Sequence, residues 1–330
     1  MFLIDTGGGK AVVIAFIIRR LIQSAFVFLI VSMSVFFAIR LLPGDPILVL
    51  MSPEQMGAVT EEQLEAIRHE FGLDRPMIVQ YVYWLSDVAR GDLGVSVLYR
   101  TDVKSEILRR LPITLHLGLL AIIISGILGI LLGVASAVRR GRWLDTVVTV
   151  LANFGITVPS FWLGILLIYL FALYFRVLPV CGYTSPLTDF SMSTRQIIMP
   201  VLCLAVFPLA MVARQTRSSM LEVMRQDYIR TAWSKGLTER VIVARHALKN
   251  ALIPVVTLIG ISFRNVLGGA VIIETVFNIP GIGRLAVSGI TTQDYAVVQG
   301  VVLVMVTAVL LINLVIDLSY GWLDPRVRYE

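Results

Sequence analysis

The chain has 330 residues, 57% of them hydrophobic and 15% charged, with 28 Lys/Arg against 22 Asp/Glu, a net charge of +6 and a mean hydropathy of +0.84. That much apolar surface excludes an ordinary soluble domain. The apolar runs are about 20 residues long without period-2 alternation, which excludes a barrel and leaves transmembrane helices.

Six spans are predicted, at 11–39, 113–138, 146–172, 197–216, 251–273 and 296–318. The chain opens on Thr6-Gly7-Gly8-Gly9-Lys10, which lacks the spacing of a phosphate loop and runs straight into the first span, so it offers no ATP site. No small-residue cleavage site precedes the polar part, so the first span does not read as a cleaved signal peptide. Leu42-Pro43-Gly44-Asp45-Pro46 ends that span and turns the chain.

The segment 43–111 is long but not low-complexity, and it reads as an ordered lid. Thr60 with Gln63 makes a capped helix start. Phe71-Gly72-Leu73-Asp74-Arg75-Pro76 is a turn, and Gln80-Tyr81-Val82-Tyr83-Trp84-Leu85 restarts a helix that Gly91-Asp92-Leu93-Gly94 ends. In the second span Gly126, Gly129, Gly133 and Ser136 provide a small-residue face for close helix packing. Arg139-Arg140-Gly141-Arg142-Trp143 is a short basic turn. In the third span Pro159, followed by Phe161 and Trp162, removes a backbone donor and kinks the helix. Such a bend serves either as a hinge lining a pathway or as a packing kink.

Residues 218–250 form the longest polar segment of the C-terminal two thirds. It carries Arg225, Arg230, Lys235, Arg240, Arg245 and Lys249 between two spans. Leu221, Met224, Tyr228 and Ala232 predict one helix stripe, Gly236 a left-handed helix end, Thr238 a cap, and Val241, Ala244 and Leu248 a second stripe. A helix, a glycine bend and a second helix make a knob for docking a partner; the alternative is a basic loop that only sets topology. A DNA-reading helix pair is excluded between two spans. Lys/Arg also gather at Lys10, Arg19, Arg20, Arg139, Arg140, Arg142, Arg214, Arg217, Arg326 and Arg328, on the same side if both termini are cytoplasmic. The basic balance thus reads as topology and implies no nucleic acid.

Arg264-Asn265 lies near the middle of the fifth span. A charge there is costly and must face water or a partner. Glu274 follows on the outer side, before the tight turn Pro280-Gly281-Ile282-Gly283. Asp294-Tyr295 precedes the sixth span, and residues 319–330 form a cytoplasmic tail. Cys181 and Cys203 do not suggest a bridge, and His69, His116 and His246 have no metal spacing. No arrangement of nucleophile, base or paired carboxylates points to catalysis.

The run Asp227-Tyr228-Ile229-Arg230-Thr231-Ala232-Trp233-Ser234-Lys235-Gly236-Leu237, followed by His246-Ala247-Leu248-Lys249-Asn250-Ala251-Leu252-Ile253-Pro254, resembles the EAA loop of ABC-importer permeases, in its dipeptide/oligopeptide version. Arg230-Thr231-Ala232 falls at the eponymous triplet and Gly236 at its glycine, while Trp233 stands where the family has a small or basic residue. Pro43-Gly44-Asp45-Pro46, Gly91-Asp92-Leu93-Gly94, Leu111-Pro112-Ile113-Thr114-Leu115 and Asp324-Pro325-Arg326 are similar to the same family, so the resemblance covers nearly the whole chain.

The resemblance implies an all-α integral membrane protein of the type I ABC importer permease fold. It would have a first helix at 1–42, an extracytoplasmic lid at 43–111 and a five-helix core at 112–318. It implies a bacterial inner-membrane location and half of a pathway for di- or oligopeptides or similar solutes. The implied partners are a second homologous permease, two cytoplasmic ATPases that hold the ATP and Mg2+, and an extracytoplasmic binding protein. It also assigns Asp227, Tyr228, Arg230, Thr231, Ala232, Lys235, Gly236 and Leu237 to ATPase coupling. Pro159, Phe161, Trp162, Arg264, Asn265 and Glu274 are the candidates for the pathway or its gate. An ion-driven transporter would want more ionisable residues within the spans, and a membrane scaffold with a partner-docking loop would need no pathway at all.

Overall fold

The computed structural model describes residues 8–41, 69 and 74–323. The Pro43–Pro46 turn, the Thr60-capped helix, residues 71–73 and the Asp324–Arg326 tail lie outside the described residues. Eleven helical elements follow one another among the described residues: α1 Gly8–Arg40, α2 Met77–Ala89, α3 Val103–Val138, α4 Trp143–Thr157, α5 Ser160–Leu167 with a π-helical continuation Ile168–Tyr174, α6 Phe190–Val223, α7 Asp227–Ser234, α8 at 239–251, α9 Ile253–Val276, α10 Ile282–Thr291 and α11 Tyr295–Leu323. Helices α1, α3, α6, α9 and α11 are each long and apolar enough to cross a membrane, and α4 with α5 forms a sharply bent pair with the length and composition of a sixth span.

The third span departs from a simple kink. Its two halves meet at 104°. Pro159 cannot donate to a preceding carbonyl, and its ring pushes Val158 out of the helical region, to φ −75° and ψ 124°. Pro159 is itself extended, at ψ 131°, so a new helix starts at Ser160. Pro112, Pro200 and Pro208 remain inside helices, and α3 begins at Val103, ten residues before the span expected from hydropathy. The apolar run marks membrane thickness, whereas helical hydrogen bonding continues beyond it.

The chain divides into two compact units, 1–112 with 284–310 and 113–283 with 311–330. In the first, Phe36 of α1 packs among Phe37, Tyr81 and Trp84, with ring centroids 5.5–5.7 Å from Phe36. The Tyr81 hydroxyl reaches Ser32 Oγ at 2.8 Å, so a buried aromatic keeps its polar end satisfied. The buried Asp294 accepts from Ser96 Oγ at 2.6 Å and from the N–H of Leu98 at 3.1 Å, while capping α11 through Val297 N–H at 3.2 Å. These bonds tie the segment after Gly94 to the start of the last helix.

In the second unit, Leu117 and Ala121 of α3, Met199, Cys203 and Leu204 of α6, and Ala270, Ile273 and Phe277 at α9 share one core. Glycines set the helix spacing. A Cβ on Gly129 would stand 2.7 Å from Val212 Cγ1, and one on Gly133 would stand 2.6 Å from the Ala213 carbonyl oxygen. Of the small face predicted on the second span, Gly129 and Gly133 therefore meet α6, while Gly126 faces Ile259 of α9 and Ser136 bonds Asp145 of α4.

Candidate functional site

The polar knob is built on a second core, in which Ala137 of α3 and Met220 of α6 pack with Ile229 and Ala232 of α7 and with Ile242, Ala247 and Ala251 of α8. The predicted stripes are corrected here. Leu221 in the last turn of α6, Met224 at the bend and Ala232 of α7 pack on this core as the stripe expects, but the chain bends at Met224–Gln226, so Ile229 takes the inward place beside Ala232 and Tyr228 is exposed. In α8 the buried positions are Ile242, Ala247 and Ala251; Val241 and Ala244 are exposed. The five-residue step from Ile242 to Ala247 matches the π-helical segment Ile242–Ala247, which adds a residue per turn and moves the stripe out of simple helical register.

Gly236 takes φ +77°, as expected of a left-handed helix end. Its N–H donates to Trp233 O at 2.9 Å, and Leu237 N–H to Ala232 O at 3.4 Å, which is the Schellman pattern. Leu237 folds back on the same core. Thr238 occupies the N-cap position of α8 with extended backbone, but its side chain makes no capping bond; its carbonyl instead receives Val241 and Ile242 N–H. Asn250 Nδ2 donates to the Tyr228 hydroxyl at 2.8 Å, linking α8 to α7. Asp227, Tyr228, Arg230, Thr231 and Lys235 thus present one exposed surface with Trp233, while Ala232 and Leu237 anchor it from beneath.

Beside this knob lies a cluster that no sequence motif announced. The buried Asp145, in the first turn of α4, accepts from Arg217 Nε at 2.6 Å and Nη2 at 3.0 Å, from Ser136 Oγ at 2.5 Å and from Gly141 N–H at 2.9 Å. A bidentate guanidinium and two further donors satisfy the carboxylate, which makes its burial tolerable. The cluster binds α3, α4 and α6 at the end nearest the knob.

Farther along the same unit, a cavity of about 180 Å³ is lined by Val158 and Ser160 of the α4/α5 break, by Cys203, Leu204 and Pro208 of α6, and by Asn265 and Gly269 of α9. Of the six pathway candidates, Asn265 lines this space. Pro159 lies between two lining residues, Phe161 and Trp162 are exposed on α5, and Arg264 is exposed on α9 one residue before Asn265.

Glu274 is separate from the cavity. It is fully buried, and its Oε1 accepts from Thr114 Oγ1 at 2.6 Å. Thr114 Oγ1 in turn accepts Ile282 N–H at 2.9 Å, so the turn after α9 is latched to α3. A Cβ on Gly281 would overlap the Glu274 carboxylate, which explains the glycine there. Nearby, His116 Nδ1 lies 2.9 Å from the Tyr183 hydroxyl, and burial pushes the Tyr183 phenol up from its usual pKa.

Comparison with known proteins agrees with this layout. The family model described as binding-protein-dependent transport system inner membrane component matches residues 129–329, and the model for the N-terminal part of such membrane components matches residues 13–118. A probable peptide ABC transporter permease of Sinorhizobium fredii is 43% identical over 314 residues, covering 95% of this chain and 99% of the relative. The dipeptide transport system permease DppB of Escherichia coli K12 is 38% identical over 338 residues, covering 96% and 99%. Among solved structures, the inward-facing MetNI methionine ABC transporter superposes with a TM-score of 0.53 at 19% identity, covering 66% of this chain and 96% of that one. An amino acid ABC transporter superposes at 0.50 and 18%, covering 66% and 94%. The chain belongs to the family of binding-protein-dependent transport system inner membrane components and is a multi-pass permease subunit of an ABC importer.

Proposed function

We propose that this permease moves di- or oligopeptides, forms half of the pathway with a second homologous permease, and is driven by two cytoplasmic ABC ATPases seated on the knob at 218–250. ATP and Mg2+ belong to those ATPases, and an extracytoplasmic binding protein delivers the peptide. The chain lies in the inner membrane of a bacterial cell with both termini cytoplasmic. The names of the relatives support the peptide substrate, and the Lys/Arg pattern supports the orientation.

The observation that carries the coupling role is the shape of α7. It is a two-turn helix with an exposed aromatic and basic surface, fixed at its C-terminus by the Gly236 Schellman closure and anchored underneath by Ile229 and Ala232. A short helix held in this way moves as a rigid body. Displacement of α7 would be passed through Met220 to α6, and through the Arg217–Asp145 pair to α4 and the break that lines the cavity. Asp227, Tyr228, Arg230, Thr231 and Lys235 make the ATPase contact, with Ala232, Gly236 and Leu237 shaping it. Pro159, Phe161 and Trp162 belong to the moving wall, Arg264 and Asn265 to the pathway, and Glu274 to its outer gate.

The test is ATP hydrolysis by the complex that co-purifies with the tagged chain. Gly236→Val is the informative variant, because a side chain at Gly236 meets no atom within 4 Å and the substitution acts through backbone strain of about 1–2 kcal/mol. The expected result is retained ATPase subunits with peptide uptake per ATP reduced several-fold. A wild-type preparation without any vanadate-sensitive ATPase, or a Gly236→Val variant with unchanged uptake per ATP, would overturn the coupling role of the knob.

A further inference from the structure

Arg264 stands eleven residues after the start of α9 and twelve before its end, roughly 17 Å from either end of the helix. A guanidinium at that depth cannot face hydrocarbon cheaply, and it is too far from both helix ends to reach the interface by extending its stem. Its side chain is nevertheless exposed on the surface of its own unit. The residues one turn away on either side are Gly260, Ile261, Leu267 and Gly268, so the helix supplies no carboxylate partner. The buried carboxylates Asp145 and Glu274 are engaged with Arg217 and Thr114. Among the described residues Arg264 takes part in no ion pair.

The next residue lies about 100° farther around the helix. Asn265 lines the cavity at the α4/α5 break, as does Ser160. Pro208, also in the lining, has no N–H, so the Leu204 carbonyl beside it has lost its helical donor and is left as an acceptor. The lining therefore includes Ser160, Asn265 and Leu204, whose carbonyl lacks the usual helical donor, with a fixed positive charge one residue along the helix from Asn265. Gly268, one turn farther on, leaves room next to Arg264, since a Cβ there would meet nothing within 4 Å.

We infer that Arg264 is a substrate-contacting residue that receives the C-terminal carboxylate of the peptide as it passes the middle of the span, with Asn265, Ser160 and the Leu204 carbonyl available to the peptide backbone and ammonium. A guanidinium suits this task because its planar donors bind a carboxylate in bidentate fashion while the charge stays fixed at any physiological pH. The inference rests on the peptide-permease reading above.

The experiment measures maximal uptake of radiolabelled alanyl-alanine by cells carrying the whole transporter, for the wild type and for Arg264→Lys, Arg264→Gln and Arg264→Glu, corrected for permease abundance. Co-purification of the other subunits is scored alongside. Uptake is expected to fall about tenfold in Arg264→Gln, to fall further in Arg264→Glu and to fall less in Arg264→Lys, which keeps the charge but not the bidentate fork, with the subunits still co-purifying. Uptake within about twofold of wild type in Arg264→Gln overturns the inference and leaves an arginine that snorkels through a locally thinned bilayer. Loss of co-purifying permease in step with uptake also overturns it, by assigning Arg264 to an ion pair with a neighbouring subunit. If the wild type itself takes up no dipeptide, it is the peptide reading that fails, before any variant is scored.

Discussion

Asp145 and Arg217 are 72 positions apart in sequence and meet with two hydrogen bonds. Removing one partner leaves the other stranded. Arg217→Gln should lower stability by about 2 kcal/mol, less than the loss typical of a fully buried pair because the Arg217 side chain is 30% exposed. Thermal unfolding of the purified permease in detergent would show the loss, and adding Asp145→Asn should recover part of it, since a neutral amide is cheaper to bury than an unpaired carboxylate. Thr114 is a second such residue. Its hydroxyl donates to Glu274 and accepts from Ile282 N–H, so Thr114→Val should cost about 2 kcal/mol and expose the turn after α9 to faster amide hydrogen exchange. Unchanged exchange at Ile282 would mean that the latch contributes nothing. Neither pair was visible in the sequence, because a carboxylate and its donor on different helices carry no local pattern.

Among elements, α3 and α6 illustrate how a composition signal becomes geometry. Gly129 and Gly133 were recognisable as one face of a helix by their four-residue spacing, but which helix they meet depends on the fold. Gly133→Leu should force α3 away from the Ala213 carbonyl, against backbone that cannot rotate aside, and cost about 3 kcal/mol. A Tm equal to that of the wild type would show that the two helices separate freely. The break at Pro159 was legible as a kink; its 104° was not, because the angle depends on Val158 and Pro159 both being extended. The π-helical segment in α8 was hidden for a similar reason. An inserted residue leaves composition unchanged and moves only the register, so Val241 and Ala244 of the stripe read from simple helical spacing fell on exposed positions, while Leu248 still packs against the core. Helix α10 escaped notice because its ten residues are too short for a span and follow a glycine turn.

For the whole molecule, the distribution of Lys and Arg predicts that both chain ends face the cytoplasm. A fluorescent protein fused after Glu330 should therefore fluoresce, whereas alkaline phosphatase at the same place should be inactive; the opposite pair of results would invert the topology. The two compact units do not follow the order of the sequence. Residues 284–310 belong with the N-terminal 112, and 311–330 with the middle of the chain. Hydropathy resolves spans one at a time and carries no information on which of them pack together.

The sequence by itself determined that the chain is helical and spans a membrane, roughly where its long apolar helices fall, that Gly236 closes a helix in the left-handed region, and that 218–250 is a polar knob between two passes. These properties follow from local chemistry: apolar length, charge placement, and the backbone limits of proline and glycine. Tertiary structure alone decided which side of α7 and α8 is buried, how sharply α4 and α5 bend apart, that Asp145 joins three helices, that Glu274 is latched by Thr114, and that Asn265 rather than Arg264 lines the cavity at the α4/α5 break. Each of these depends on groups far apart in the chain arriving at the same place, and packing and hydrogen-bond satisfaction select that arrangement only once the helices have assembled.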